Sequence, residues 1–450
     1  MSVTNPIRII GTWEDLTPDQ RVVAVARGTD KIFDPELQEN IRKLIEQVRL
    51  EGDAAVIRAL KEFDGCDIGS KSLKVSDEEY ELARREISPE LMAAITDAID
   101  HVRRFNEQIC ERGDWSFESE PGLMVGEKVT AIASAGLFVP SGKGSYPSVA
   151  IQLATPAVVA GVREIVIVVP PIPGTDGVVD PAVLVVAQEL GLQGRVYRVN
   201  GPAGIAALAF GTETIPKVRK VVGPGSPAVA CAQIEVQRYG TVTNMLLGPS
   251  ESLILADDSA DPRLLAADLL NEAEHGPDSS SILVTTSREL LEAAQLEVSR
   301  QVELLPEPRR SYALTSLGVN GGAILAGSIE AAAAAANAYA PEHMQIAVRD
   351  EEAVLNLLED AGEILIGQFT TVSAANFVIG CPASLPTSGF AKVSSGITAD
   401  AFRKRTAVAK SDLRALKRMS GTVLAFTAHE GFPAHGAAIT ARLTIEDSSI

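Results

Sequence analysis

Hydrophobic residues along this chain follow two different periods. Between Pro35 and about Glu111 they recur every three to four positions, at Ile41, Leu44, Ile45 and Val48 and again at Leu91, Ile95, Ile99 and Val102. That spacing predicts helices with one buried stripe. Beyond Pro121 short, unbroken apolar runs take over, at 131–139, 164–170, 195–199 and 220–222. Runs of this length and Val/Ile content read as buried strands. The stretches between them, to Ala160, over 181–190 and over 203–210, keep a helical pattern. The alternation then repeats. Strand-like segments at 252–256, 281–285, 322–325 and 363–366 enclose helical ones at 261–276, 288–301 and 331–336. The last is pure alanine, the best helix former, and predicts helix rather than linker.

Strands alternating with helices at this spacing point to βαβ units and parallel sheets. The expected fold class is α/β: two tandem incomplete Rossmann-like domains, each a doubly wound parallel sheet, with a helical N-terminal segment and a C-terminal tail. The expected limits are an arm at 1–20 and a helical segment at 21–120 packing on the second sheet domain. Sheet domains at 121–250 and 251–388 and a tail at 389–450 complete the chain.

Composition narrows the function classes. A chain of 450 residues suffices for several such domains. Aromatic residues make up 4% against 46% hydrophobic overall, the aliphatic balance of helices packed on parallel strands. A formal net charge of −19 opposes binding to nucleic acid or anionic membranes. The first residues lack the features of a secretion signal, and no apolar run reaches a membrane span of about 20 residues. Cys66, Cys110, Cys231 and Cys381 show neither metal-site nor disulfide spacing, so a reducing cytoplasm is the expected compartment.

Candidate chemistry gathers at helix ends. Within 261–276, Asp261 suits an N-cap and Pro262 the first helical position, while Leu265, Leu269 and Ala273 form a stripe with Leu264 beside it. Glu272 and His275 follow at i and i+3, on one face. Two readings stay open: half of a zinc site, or a helix end whose imidazolium meets the dipole. Of the other histidines, His101 reads as a surface residue. His343 stands in Ala340-Pro-Glu-His343, which is either a helix-ending turn or a site, and His435 stands in His429-Glu-Gly-Phe-Pro-Ala-His435. Val221-Val-Gly-Pro-Gly-Ser-Pro-Ala228 has the G-x-G-x-x-A form, but no acidic residue follows about 20 positions on to hold a ribose. A tight turn explains it equally. The loop 136–144 is one residue too long for a phosphate loop and has Gly144 where Ser or Thr would hold magnesium, which excludes an NTPase.

Taken in order, several blocks resemble the histidinol dehydrogenase family over nearly the whole chain. They are the 136–148 loop, Ile205-Ala-Ala-Leu-Ala-Phe-Gly-Thr-Glu213, Gly223-Pro-Gly225, Gly248-Pro-Ser-Glu251, Ala273-Glu-His-Gly-Pro-Asp278, Ala340-Pro-Glu-His343, Leu385-Pro-Thr387, and Glu430-Gly with Ala434-His435. The resemblance implies a two-sheet zinc enzyme, a homodimer in which the C-terminal tail of one chain completes the other's active site. It implies oxidation of a primary alcohol, through an aldehyde, to a carboxylate with two NAD⁺.

Residue by residue, the resemblance places the family's zinc set of Gln, His, Asp and His on Glu272, His275, Asn376 and His435. Amide and carboxylate have exchanged places, and the formal charge is unchanged. The acid–base pair falls on Glu342 and His343, His343 taking the alcohol proton and Glu342 activating the water that attacks the aldehyde. Ser250 and Glu430 match substrate-contacting positions, as do the four zinc-set residues. The family's NAD-contacting Tyr, Gln and Asn fall on Phe138, Ala203 and Ser226, and a substrate-side His falls on Ala383. Each replacement removes hydrogen bonds worth about 1 kcal/mol apiece. With these departures the resemblance implies a small polar alcohol other than histidinol, an amino alcohol or a diol bearing an anionic group such as a sulfonated propanediol. Two other classes also fit the residues: a zinc-dependent hydrolase using Glu342, and a non-catalytic binding protein on the same scaffold.

Overall fold

The computed structural model describes residues 5–27, 32–141, 144, 146–199, 201–244 and 248–445. Strand β1 (Ile9–Thr12) comes from the N-terminal arm, and β2 (Trp115–Glu120) and β3 (Leu123–Ala131) form a hairpin. A first parallel set follows: β4 (Ser134–Phe138), β5 (Glu164–Val169), β6 (Val196–Arg198), β7 (Lys220–Val222) and β8 (Val242–Thr243). The second set is β9 (Glu251–Ala256), β10 (Ser280–Thr285), β11 (Gly322–Leu325), β12 (His343–Ala347) and β13 (Glu363–Ile366). Strand β14 (Arg403–Ser411) comes last.

The chain divides into two compact units. The larger, the described part of Met1–Ile109 with Ala133–Phe402, holds both parallel sheets. The first sheet runs β6-β5-β4-β7-β8 and the second β1-β11-β10-β9-β12-β13. Every neighbouring pair in them is parallel. In each set the earliest strand lies inside, the next two step to one side and the last two to the other. One doubly wound topology is thus used twice, the tandem Rossmann-like arrangement that the alternating pattern predicts. The chain changes direction between β4 and β7, and again between β9 and β12. At such a switch point the loops leaving neighbouring strands diverge and open a crevice.

Two expected placements are corrected. The helices Pro35–Glu51, Asp53–Phe63 and Asp77–Glu86 pack on the first sheet domain, not the second. The stripe Ile41, Leu44, Ile45 and Val48 is buried in one core with Val166 and Val168 of β5 and with Ile205, Leu208, Val229 and Ala232. The helix Gly201–Phe210 carries only apolar residues and glycine, so it is buried all round and needs cover from outside the sheet. The arm is also more than an arm. Ile7 exchanges two hydrogen bonds with the Gln295 side chain, and β1 adds an edge strand beside β11.

The period-two alternation of side chains places the site. Cα partners in register put Ser252, Ile254 and Ala256 of β9, His343, Gln345 and Ala347 of β12, and Glu363 of β13 on one face. That face is covered by the helix Pro262–Ala273 through Leu265, Leu269 and Ala273, while Leu264 points outward. The opposite face, with Leu253, Leu255, Met344 and Ile346, packs against the alanine-rich helix Ile329–Tyr339.

The smaller unit, Cys110–Ile132 with the described part of Arg403–Ile450, is a three-stranded antiparallel sheet, β14-β3-β2, followed by helices Leu413–His429 and Pro433–Leu443. It recruits residues 110–132, which the expected limits divided between the helical segment and the first sheet domain. The cause is pairing: β3 bonds β14 along the whole of both strands. Among the described residues no helix is long and apolar enough to cross a membrane.

Candidate active site

A cavity of about 850 Å³ opens in the larger unit. Its first wall is the switch point of the first sheet: Pro140 and Ser141 after β4, and Pro224, Gly225 and Ser226 after β7. Its second wall comes from the amino ends of the second sheet, with Ser250 before β9 and Glu342 and His343 at the start of β12. Glu272, His275 and Asn376 close the floor. Residues 142, 143 and 145 of the 136–148 loop lie outside the described residues.

Local sequence explains how these side chains arrive. Asp261 caps the helix Pro262–Ala273 by accepting from the Arg263 N–H at 2.9 Å, and Pro262 takes the first position. The helix ends at Ala273 with Glu274 as C-cap, three residues before the expected end at Gly276. Glu272 therefore sits in the last turn and His275 in the turn beyond, with the His275 N–H still bonded to the Glu272 carbonyl at 3.3 Å. At the end of Ile329–Tyr339, Ala340 adopts φ 50, a left-handed conformation costing a residue with a Cβ about 1–2 kcal/mol. This sharp exit turns Pro341-Glu342 directly into β12, so His343 opens a strand rather than closing a helix.

Glu272 is fully buried. Its Oε1 accepts from Asn376 Nδ2 at 3.3 Å, and its Oε2 lies 3.3 Å from His275 Nδ1. Burial would raise the Glu272 pKa, but the charge and hydrogen bond of His275, helped by His343 and Asn376, hold it well below the usual carboxylate range. The Glu272 carboxylate in turn raises His275. His275 Nδ1 also lies 3.0 Å from Ser250 Oγ, which leaves Nε2 as the ring's remaining ligand atom.

Glu342 and His343 are buried side by side, Oε1 of the one 3.8 Å from Nε2 of the other. Burial pushes the Glu342 carboxyl up, and the charges of Glu272 and Glu251 push the same way. Burial alone would lower His343, but Glu342, the hydrogen bond to Glu363 and the charge of Glu272 raise it well above an ordinary histidine. Such groups hold and pass protons.

The expected cofactor contacts fare unequally. Ser226 lines the cavity as N-cap of the helix Pro227–Val236, with its side chain not engaged in the cap. Phe138 and Ala203 do not reach it. Both are buried in the first sheet's apolar core, where the Phe138 ring packs against Gly201. Gly223 has φ +142, and a Cβ there would meet the Phe138 carbonyl oxygen at 2.1 Å. Close approach of β7 to β4 thus requires that glycine, whatever binds nearby. Ala383 lines the cavity. Glu430 and His435 belong to the smaller unit, Glu430 at the end of Leu413–His429 and His435 inside Pro433–Leu443.

Two features were not visible in sequence. Glu363 bonds His343, a contact set by register between β12 and β13 across 20 positions. Glu251 donates its backbone N–H to Glu342 Oε2 at 3.0 Å, while its buried carboxylate accepts from Arg27 at 2.7 Å and from the Ser388 N–H at 2.9 Å. Burial raises Glu251 to about 7 against the pull of Arg27.

The residues fit a metal ion. Glu272 Oε2 is buried with only the His275 ring nearby, at 3.3 Å and off hydrogen-bond geometry, a poorly satisfied carboxylate oxygen that a cation would meet. Ligand atoms of Glu272, Glu342 and His343 lie within 4.8 Å of one another. A mixed set of carboxylate, amide and imidazole donors suits zinc. Of the expected four, the structure brings together Glu272, His275 and Asn376.

Comparison with known proteins identifies the family. The histidinol dehydrogenase family profile matches residues 28–443. A histidinol dehydrogenase of Synechocystis sp. is 38% identical over 427 residues, covering 95% of this chain and 97% of that protein. A histidinol dehydrogenase homolog of Colwellia psychrerythraea is 38% identical over 430 residues, 95% of this chain and 94% of the relative. The crystal structure of histidinol dehydrogenase from Elizabethkingia anophelis superposes with a TM-score of 0.91 at 30% identity, covering 98% of both chains. The chain belongs to the histidinol dehydrogenase family and is a histidinol dehydrogenase-like oxidoreductase.

Proposed function

We propose that this protein oxidises a small polar primary alcohol, through its aldehyde, to the carboxylate, with zinc at the site and NAD as hydride acceptor. The observation that carries this reading is the meeting of Glu342, His343 and the buried Glu272 in a cavity whose other wall is the switch point of a Rossmann-like sheet. Zinc held by Glu272, His275, Asn376 and His435 would orient the alcohol and polarise its oxygen, and NAD⁺ held by the loops after β4 and β7, with Ser226, would take the hydride. The chain's own residues manage the protons. In the alcohol step His343 Nε2 takes the hydroxyl proton. That needs a neutral ring, and a cation on Glu272 offsets one of the charges that keep the ring protonated. In the aldehyde step Glu342, poised high by burial, takes the proton of the water that adds to the carbonyl.

Ser250 meets the substrate beside His275 in this reading. The family resemblance assigns Glu430 to the substrate and His435 to the metal, supplied across a homodimer. Substrate charge follows from the wall. Among the described residues the cavity carries Asp97, Asp278, Glu272 and Glu342 and no lysine or arginine. A wall of this sign favours an amino alcohol over a diol bearing an anionic group.

The test is NADH formation by zinc-replete protein over a panel of amino alcohols, neutral diols and anionic diols. Turnover with an amino alcohol and saturable NAD⁺ binding are expected. Absence of NAD⁺ binding would favour a zinc hydrolase, and NAD⁺ binding without turnover of any alcohol would overturn the proposal.

A further inference from the structure

Where β12 and β13 begin, the parallel register sets His343 beside Glu363. His343 Nδ1 lies 2.5 Å from Glu363 Oε1, and the two side chains are only 3% and 7% exposed. A neutral imidazole beside a carboxylate carries its proton on the nitrogen that faces the carboxylate, because two acceptors at this distance repel. The lone pair is then left on Nε2. That is the atom nearer Glu342, and His343 lines the cavity.

We infer that Glu363 is a positioning residue for the reaction: it fixes His343 in the Nδ1–H tautomer and holds the ring so that Nε2 receives the alcohol proton. The inference rests on the proposed role of His343 as base. Balance is simple. The alcohol O–H bond breaks, an Nε2–H bond forms, the hydride leaves carbon for NAD⁺, and the imidazolium is stabilised by the Glu363 carboxylate, which keeps its own proton state. A packing role explains the residue less well. Glu363 Oε2 is buried with no hydrogen-bond partner, a penalty that an apolar side chain of similar size would escape. The placement of a carboxylate there is explained by the one bond it makes to the ring.

The experiment uses full-length, zinc-loaded protein and the amino alcohol that gives most NADH in the panel. Glu363→Gln, which keeps the shape, and Glu363→Ala should lower kcat for the alcohol about 10²–10⁴-fold while KM stays within about threefold. Glu363→Asp should recover part of the loss. In ¹⁵N-histidine-labelled protein without substrate, a strongly downfield proton should be coupled to His343 Nδ1. It should be identified by its absence in His343→Gln, move upfield in Glu363→Gln and vanish in Glu363→Ala. A folded Glu363→Gln with wild-type kcat and KM, or wild-type protein lacking that resonance, overturns the positioning role. Wild-type kcat in His343→Gln overturns the base role instead, and the resonance, read before substrate is added, tells the two failures apart.

Discussion

Glu342 and His343 are neighbours in sequence but answer to different partners, and kinetics can separate them. His343 is tied to Glu363 and lines the cavity, whereas Glu342 is held by the Glu251 N–H and raised by burial. His343→Ala should therefore slow oxidation of the alcohol more than oxidation of the supplied aldehyde. Glu342→Gln should mainly slow the aldehyde step, by about 10²–10⁴-fold, the usual worth of a general base. Wild-type rates for both steps in folded Glu342→Gln would remove the mechanism. The Glu272–Asn376 contact makes a second prediction at this scale. The pair holds one carboxylate and one amide, bonded at 3.3 Å. Glu272→Gln leaves the pair without charge, and Asn376→Asp sets two carboxylates against each other, raising one of them. Bound zinc per chain, measured by elemental analysis after dialysis against a weak chelator, should fall sharply in Glu272→Gln, with affinity down on the order of 10²-fold. The double variant Glu272→Gln/Asn376→Asp, which restores one carboxylate, should return most of it. A double variant as zinc-poor as Glu272→Gln would show that the two positions do not act as a unit.

The helix Asp77–Glu86 and strand β6 meet through an ion pair that also makes stability depend on pH. Arg198 is 1% exposed, donates from Nη1 to Glu79 Oε1 at 2.8 Å, and bonds Glu79 Oε2 and the Gly177 carbonyl as well. Burial would raise the Glu79 carboxyl, but the Arg198 hydrogen bond and charge, with the Ser76 N–H, leave it lowered. A carboxyl lowered in the folded state adds stability above its ordinary value and loses it as pH falls through the folded one. Glu79→Gln leaves a buried guanidinium without its counter-charge and should cost about 2–3 kcal/mol at neutral pH, as read by urea unfolding. Its stability should also fall less steeply than wild type's through the acid range. Equal acid slopes would refute the linkage. Elements like these were only partly legible in sequence. Helices with one apolar stripe and strands buried on both faces announce themselves by period, which is why the stripe Ile41–Val48 marks the helix Pro35–Glu51 and the runs 164–170 and 252–256 mark β5 and β9 to within a residue. Strand β14, Arg-Lys-Arg-Thr-Ala-Val-Ala-Lys-Ser, is exposed from Lys404 onward and carries no such signal. Strand β12 was hidden because a single left-handed residue, Ala340, separates a long helix from the Pro341-Glu342 lead-in to the strand. Glu363 could not be read as a site residue at all, since only the pairing of β12 with β13 brings it to His343. Phe138 and Ala203 were misplaced for the converse reason: family positions transfer with the alignment, while burial is decided by local packing.

At the scale of the whole molecule, the C-terminal helices ask for a partner. Of Leu413–His429 only Ala415 is buried, and Pro433–Leu443 has no buried residue among those described. Phe426 is 60% exposed and Phe432 49%. Helices of this length draw most of their stability from a covered apolar face, and exposed aromatics on such a face mark an interaction surface. In the proposed homodimer a second copy supplies the cover, and a two-fold axis makes each contact occur twice. Light scattering should then give twice the 47.5 kDa of one chain, and Phe426→Asp should shift the population toward monomer. Sharing of sites is a stronger claim, and it has its own test. His435→Ala and Glu342→Gln proteins are each expected to be nearly inactive. Random exchange of subunits makes about half of the dimers mixed. If His435 serves the partner's site, each mixed dimer has one site carrying both defects and one carrying neither, so about a quarter of wild-type activity should return on mixing. If His435 serves its own chain, every site keeps one defect and nothing returns. No recovery of activity, in a mixture shown by labelled subunits to have exchanged, would end the shared-site proposal while leaving the cavity, Glu342 and His343 to be judged by their own experiments.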